Sequence, residues 1–226
     1  MSLNGILPEE KKMEKAIKAA NEVKIRTIIE NLDKRNITGY YCETKEEAAE
    51  LVLSMIPEGA EVSWGGSYTL DQLDIKDTLK SGPYEVNDPM EIREDRAATM
   101  EMRRKAMNCD VYLSSLNAIT MDGEIVNIDG TGNRVAAIVF GPEKVILVAG
   151  VNKIVLREAD AVDRIRSEAC PPNCIRLGKK TPCAVSGKCT ECLIKGNTIC
   201  SHTVTTRFSA IDDRMHVILV NDILGF

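Results

Sequence analysis

The sequence predicts an α/β fold in which a parallel or mixed sheet is covered by helices. Two observations carry this expectation. Through the first half, short runs of β-branched and aromatic residues alternate with amphipathic segments, so that a strand–helix–strand rhythm repeats. The most apolar run, residues 145–151, is far shorter than the ~20 residues a bilayer span needs, and it reads as a buried central strand.

The elements follow in order. Residues 8–35 set Met13, Ile17, Ala20, Val23, Ile28 and Leu32 three to five positions apart among charges, which predicts a long amphipathic helix, a packing helix or dimer arm. Residues 37–42 read as a strand. Thr44 caps the helix that follows to Met55, with Glu47 at the capping-box position, and Pro57 with Gly59 closes it. Residues 61–63 form a strand that runs into Trp64-Gly65-Gly66-Ser67. Two glycines there let backbone N–H groups converge on an anion, but a tight turn with Ser67 or Thr69 as N-cap is the preferred reading of so short a motif. A strand at 84–87, a long helix at 89–107 and a strand at 111–113 complete the first half.

Residues 117–135, NAITMDGEIVNIDGTGNRV, concentrate hydrogen-bonding side chains and three glycines between apolar, strand-like runs. Asp122-Gly123 suits a two-residue hairpin turn between Ile119-Thr120 and Ile125-Val126. Asp129 is the one carboxylate there that offers itself as a nucleophile or base. Asn133 and Arg134 follow the Gly130-Thr131-Gly132 bend, where binding an anion is as good a reading as a structural cap. The apolar runs 135–140 and 145–149 are broken by Gly141-Pro142. A helix at 154–169 is ended by Pro171-Pro172, and strands at 204–207 and 215–220 return to the main sheet. Four segments result: a helix at 1–36, an α/β core at 37–169, a cysteine-rich segment at 170–203 and C-terminal strands at 204–226.

The charge balance of 29 basic and 34 acidic side chains, without a basic stripe interleaved with aromatics, argues against nucleic acid and favours small ligands or protein partners. No secretory leader is expected, because the first basic residues run into EEKKMEKAIKAA, so a cytoplasmic chain without membrane insertion is expected. In that compartment thiols serve as metal ligands or buried small hydrophobes. Six of the eight cysteines fall within residues 170–200. Cys189 and Cys192 form a CxxC, Cys183 lies six positions before and Cys200 eight after, a tetrad sufficient for tetrahedral zinc or an iron–sulfur cluster. Spacing does not choose between the two metals. Cys170 and Cys174 are a further pair, and Cys42 and Cys109 read as buried thiols. His202, beside Cys200, reads as a strand histidine or a group near the metal, and His216 as structural. No GxSxG elbow is present, so hydrolase chemistry is poorly supported.

Taken together, WGGS at 64–67, NAITMDGEIVNIDGTGNRVA at 117–136, GVNKIV at 150–155 and RLGKKTPCAVSGKCTEC with Cys200 resemble the LUD-domain family of lactate-utilisation proteins. The resemblance covers most of the chain. It implies a fold similar to NagB/RpiA/CoA-transferase-like proteins, with a mixed sheet flanked by helices and a ligand pocket lined by the GGS and GNR loops. It also implies a place in bacterial lactate or hydroxyacid metabolism beside partner subunits of that pathway. The motif positions are Gly65, Gly66, Ser67, Asn117, Thr120, Asp122, Gly123, Asp129, Gly132, Asn133, Arg134 and Asn152, with Cys183, Cys189, Cys192 and Cys200 as the tail tetrad. Cys170 and Cys174 depart from the family pattern. The sequence thus predicts a binder of a small anionic metabolite, possible as a homo-oligomer, with a cysteine-held metal. A stand-alone transferase- or isomerase-like enzyme using Asp129, and a metal-stapled interaction module, are the alternatives.

Overall fold

The computed structural model describes residues 9–92 and 94–226. Pro8, the expected start of the first helix, and the start of the chain on which the leader expectation rests lie outside the described residues. The chain runs α1 (Glu9–Asp33), β1 (Thr38–Cys42), α2 (Lys45–Ser54), β2 (Glu61–Trp64), α3 (Tyr68–Gln72), α4 (Ile75–Ser81), β3 (Glu85–Asn87), α5 (Arg96–Lys105) and β4 (Val111–Ser114). It continues with β5 (Ala118–Thr120), β6 (Ile125–Asp129), α6 (Asn133–Val139), β7 (Lys144–Gly150), β8 (Ile154–Val155), α7 (Glu158–Arg164), α8 (Cys170–Arg176), α9 (Pro182–Ser186), β9 (His202–Thr206) and β10 (Met215–Val220).

Six strands form a parallel sheet in the order β1-β10-β7-β4-β2-β3, flanked by helices, as the α/β expectation required. Its central strands β10, β7 and β4 are buried at every position except the half-buried Lys144, because both faces are covered. Along β7, Val145, Leu147 and Ala149 pack with Ile25, Ile28 and Leu32 of α1, whereas Ile146 and Val148 point to the opposite face, against Val52 of α2 and Leu70 of α3. The period of two along the strand thus assigns alternate residues to two separate cores.

A second sheet, β8-β5-β6-β9, contains the antiparallel pairs. Its β5–β6 hairpin confirms Asp122-Gly123 as a turn, but the loop has three residues rather than two. Gly123 N–H donates to the Thr120 carbonyl and Gly123 adopts φ +86°, a type I turn closed by a glycine in the left-handed region. The strand at 204–207, expected in the main sheet, belongs here as β9. Only β10 returns to the main sheet, where it lies between β1 and β7.

Four segments differ from expectation, the first being the helix expected from residue 154, which starts only at Glu158 after the short strand β8. Residues 89–92 and Glu94 lie in turns rather than in a helix, with the Asp88 carboxylate accepting from Met90 N–H, and α5 starts at Arg96 because Asp95 caps Ala97 and Ala98. The 135–140 run is helical rather than extended. NRVAAIV is too short for its period to distinguish the two states. Pro171-Pro172 does not end the preceding helix. A π-helical turn, Ile165–Ala169, links α7 to α8, and the prolines occupy the first turn of α8, where no intrahelical N–H is required.

Candidate functional site

The ends of β2, β4 and β6 open onto a cleft of about 1190 Å³. Gly65, Gly66 and Ser67 leave β2 on one side, and Asn117, Asp129, Asn133 and Arg134 come from the second sheet and α6 on the other. The two loops expected to meet do meet. Their chemistry differs from expectation in several places.

Arg134 was expected to hold an anion, yet each of its five N–H donors already has a protein acceptor. Nε donates to Asp129 Oδ2 (3.3 Å), one terminal nitrogen to the Ser115 carbonyl (3.0 Å) and Asn127 Oδ1 (2.8 Å), and the other to Asn117 Oδ1 and the Ile128 carbonyl, both at 2.8 Å. Arg134 therefore fixes the cleft wall. Asp129 is likewise committed: its Oδ1 accepts from Thr131 and Gly132 N–H at 3.0 and 2.7 Å, and its Oδ2 pairs with Arg134. A carboxylate bound this way shapes the bend and is not a free nucleophile.

The remaining candidates divide. Ser67 Oγ accepts from Leu70 N–H at 3.3 Å, the N-cap role expected of it. Gly65 lies so close to Tyr112 that an added Cβ would stand 3.1 Å from the phenol oxygen, which explains the glycine by close approach. Thr120 and Asn152 do not line the cleft. The Thr120 hydroxyl accepts from Glu124 N–H inside the hairpin, and Asn152 Oδ1 accepts from Leu224 N–H to hold the C-terminal tail. Gly132 is not in the lining either; its φ of +88° permits the bend that presents Asn133. His202 is exposed at the start of β9, and buried His216 accepts or donates between Tyr40 and the Asp213 carbonyl, as its structural reading requires.

The principal group that sequence reasoning missed is Lys153. It directly follows Asn152, and its side chain is 3% exposed at the cleft floor, donating to Thr69 Oγ1 (2.9 Å) and Ser115 Oγ (2.8 Å). Burial, then the nearby Arg164 and Arg134 charges, push its pKa down from 10.5 to about 7. Gly225 passes directly over it, and Phe226 stacks on Tyr68 with ring centroids 5.2 Å apart to form one wall. Around the rim stand Arg96, Arg103, Arg176, Lys179 and Lys195. Asp129 is the single acidic side chain in the described lining. In a chain of net charge -5, this cleft is a concentrated positive region.

Next to it lies a chamber of about 290 Å³ lined by all six cysteines of the 170–200 segment. The thiols approach in pairs that cross the expected grouping: Cys170 Sγ lies 3.2 Å from Cys200 Sγ, and Cys174 Sγ 3.8 Å from Cys183 Sγ. Cys170 and Cys174, the departures from the family pattern, are thus integral to the cluster. The hydrogen bond between Cys170 and Cys200 pulls the Cys200 pKa below its ordinary value and pushes that of Cys170 up. Among the described residues, no three His, Cys, Asp or Glu side chains converge closely enough to hold one metal ion. Cys42 and Cys109 are buried elsewhere, with pKa values pushed up by burial to about 11 and about 12. None of the helices among the described residues is long and apolar enough to cross a membrane.

A family model described as the LUD domain matches residues 25–220. A DUF162 family protein from Deinococcus radiodurans, solved by crystallography, is 11% identical and superposes with a TM-score of 0.53 over 88% of this chain and 98% of its own. That likeness establishes a shared fold. Ribose 5-phosphate isomerase A from Methanocaldococcus jannaschii, 12% identical, covers 59% of this chain and 62% of its own at a TM-score of 0.34, a superposition too loose to define common architecture. A search among curated proteins gave no match.

Proposed function

Because the chain belongs to the LUD-domain family, which is associated in general with lactate utilisation, we propose that its cleft binds a small anionic metabolite. The observation that carries this reading is the charge of the cleft: five basic side chains at the rim and Lys153 at the floor, against one carboxylate already paired with Arg134. The groups facing Lys153 are two hydroxyls and two arginines. A bound carboxylate or phosphate supplies the counter-charge this amine lacks, and the hydroxyls orient it.

In this reading the protein is a cytoplasmic component of bacterial lactate oxidation to pyruvate, working beside partner subunits, with a metal held by the cysteine segment. Asn133, Gly66 and the rim bases meet the ligand, whereas Arg134, Asn117 and Asp129 set the wall. Lys153 also favours a second reading, one with turnover. A lysine titrating near neutrality is equipped as a general base or nucleophile, the role that Asp129 does not fill. Thermal unfolding in the presence of lactate, pyruvate or a sugar phosphate tests the binding reading, since a ligand selective for the folded state raises the melting temperature. A melting temperature unmoved by any of them removes its support.

A further inference from the structure

The chamber beside the cleft carries an inference that deepens, and rests on, the reading of a cysteine-held metal. A zinc site is a closed tetrahedron in which Zn–S distances of about 2.3 Å set every pair of sulfurs about 3.8 Å apart. Here the sulfurs of Cys174 and Cys183 stand at that distance, and those of Cys170 and Cys200 stand closer, but the pairs remain separate around a void of about 290 Å³. No third ligand converges with either pair among the described residues. A single ion leaves such a void unfilled. A cluster whose iron ions each take one close pair of thiolates would fill it while keeping the two pairs apart.

The surroundings fit the same chemistry. Glu191 N–H donates to Cys189 Sγ at 3.4 Å, and the hydroxyls of Thr181 and Thr198 lie 3.3 and 3.9 Å from Cys183 Sγ and Cys192 Sγ. Hydrogen bonds to ligand sulfurs are the usual means by which a protein tunes such a cluster. The two charged residues of the lining, Arg166 and Glu191, pair with each other at 2.5 Å. We propose that the six-thiol chamber holds an iron–sulfur cluster rather than a single zinc ion. Its wall is shared with the basic cleft, because Cys170, Cys200, Leu193 and Ile199 line both. The cluster therefore sits within one layer of side chains of the anion site.

The test is anaerobic purification of the full chain, reconstitution with ferrous iron and sulfide, and measurement of iron, acid-labile sulfide, zinc and the visible spectrum. Iron and sulfide in matching amounts, with visible absorption that dithionite bleaches, is the expected result. Cys183→Ala and Cys200→Ala, which belong both to the close pairs and to the sequence tetrad, should each lose that absorption. Cys42→Ala and Cys109→Ala should keep it. Circular dichroism establishes that each variant is folded, and Cys183→Ser repeats the test with a smaller change of volume. A colourless protein with zinc bound overturns the cluster and leaves a cysteine-held metal standing. Protein that takes up no metal, or whose cysteines resist alkylation as disulfides, overturns both. Absorption retained in the Cys183 and Cys200 variants also overturns the proposal, by placing the iron elsewhere.

Discussion

Arg134 donates to Asn117 Oδ1 at 2.8 Å, and through that bond the first turn of α6 is tied to the residue that leads into β5. The same Asn117 oxygen accepts from Ile128 N–H at 2.9 Å, so one side chain links β5, β6 and α6. The bend at residues 130–132 is held on both sides by this network.

Arg134→Ala should therefore behave as a structural lesion. Removing the cation strands the Asp129 carboxylate and the Asn117 and Asn127 oxygens, and a cost of about 3 kcal/mol is expected for a partly buried, charge-assisted cluster. Urea denaturation measures it. A variant of unchanged stability that had lost only ligand binding would restore Arg134 as an anion ligand.

Gly123→Ala tests the hairpin. At φ +86° a Cβ is strained, and the position it would take lies 3.2 Å from backbone atoms of Asn31 and Leu32. Left-handed strain alone is about 1–2 kcal/mol, so the melting temperature should fall by several degrees while ligand affinity stays the same. An unchanged melting temperature would mean that the turn does not need this geometry.

These residues also show what was legible beforehand. The hairpin was readable because Asp-Gly between alternating apolar residues has few other uses. The α/β class was readable from the strand–helix–strand rhythm that repeats through the first half. The saturation of Arg134 was not, since its acceptors come from Ser115, Asn117 and Asn127, and spacing carries no information on which oxygens converge. Lys153 was missed for a related reason: a single lysine after Asn152 looks like a surface residue until the C-terminal tail is seen to cover it. The cysteines gave a strong local signal, yet Cys170 and Cys174 stood outside the tetrad because they depart from the family pattern, although α8 brings them into the same chamber.

Lys153 makes stability depend on pH in a defined direction. Its folded pKa is about 7, against an ordinary 10.5, so between those values the unfolded chain holds a proton that the folded one does not. Stability from this residue rises with pH across that window, and its full penalty is present below pH 7. Lys153→Met should stabilise the protein most at about pH 6 and least at about pH 10, as read by denaturation at the two values. A difference independent of pH would show that the amine titrates normally.

Rim charge should govern affinity. Arg103→Ala and Arg176→Ala are each expected to weaken pyruvate binding about fivefold, and added salt should weaken it further in the wild type. Arg26→Ala, which removes an α1 residue paired with Glu22, should leave affinity unchanged. Equal losses from all three would mean that only net charge matters.

The most direct measurement is calorimetric titration of the wild type and Lys153→Met with pyruvate, lactate and inorganic phosphate at about pH 6.5, where the amine is largely protonated. The account predicts saturable binding of at least one of these anions by the wild type, weaker as pH rises through 7, and its loss in a folded Lys153→Met. Wild-type protein that binds none of them, or a variant that binds as tightly as the wild type, would contradict it.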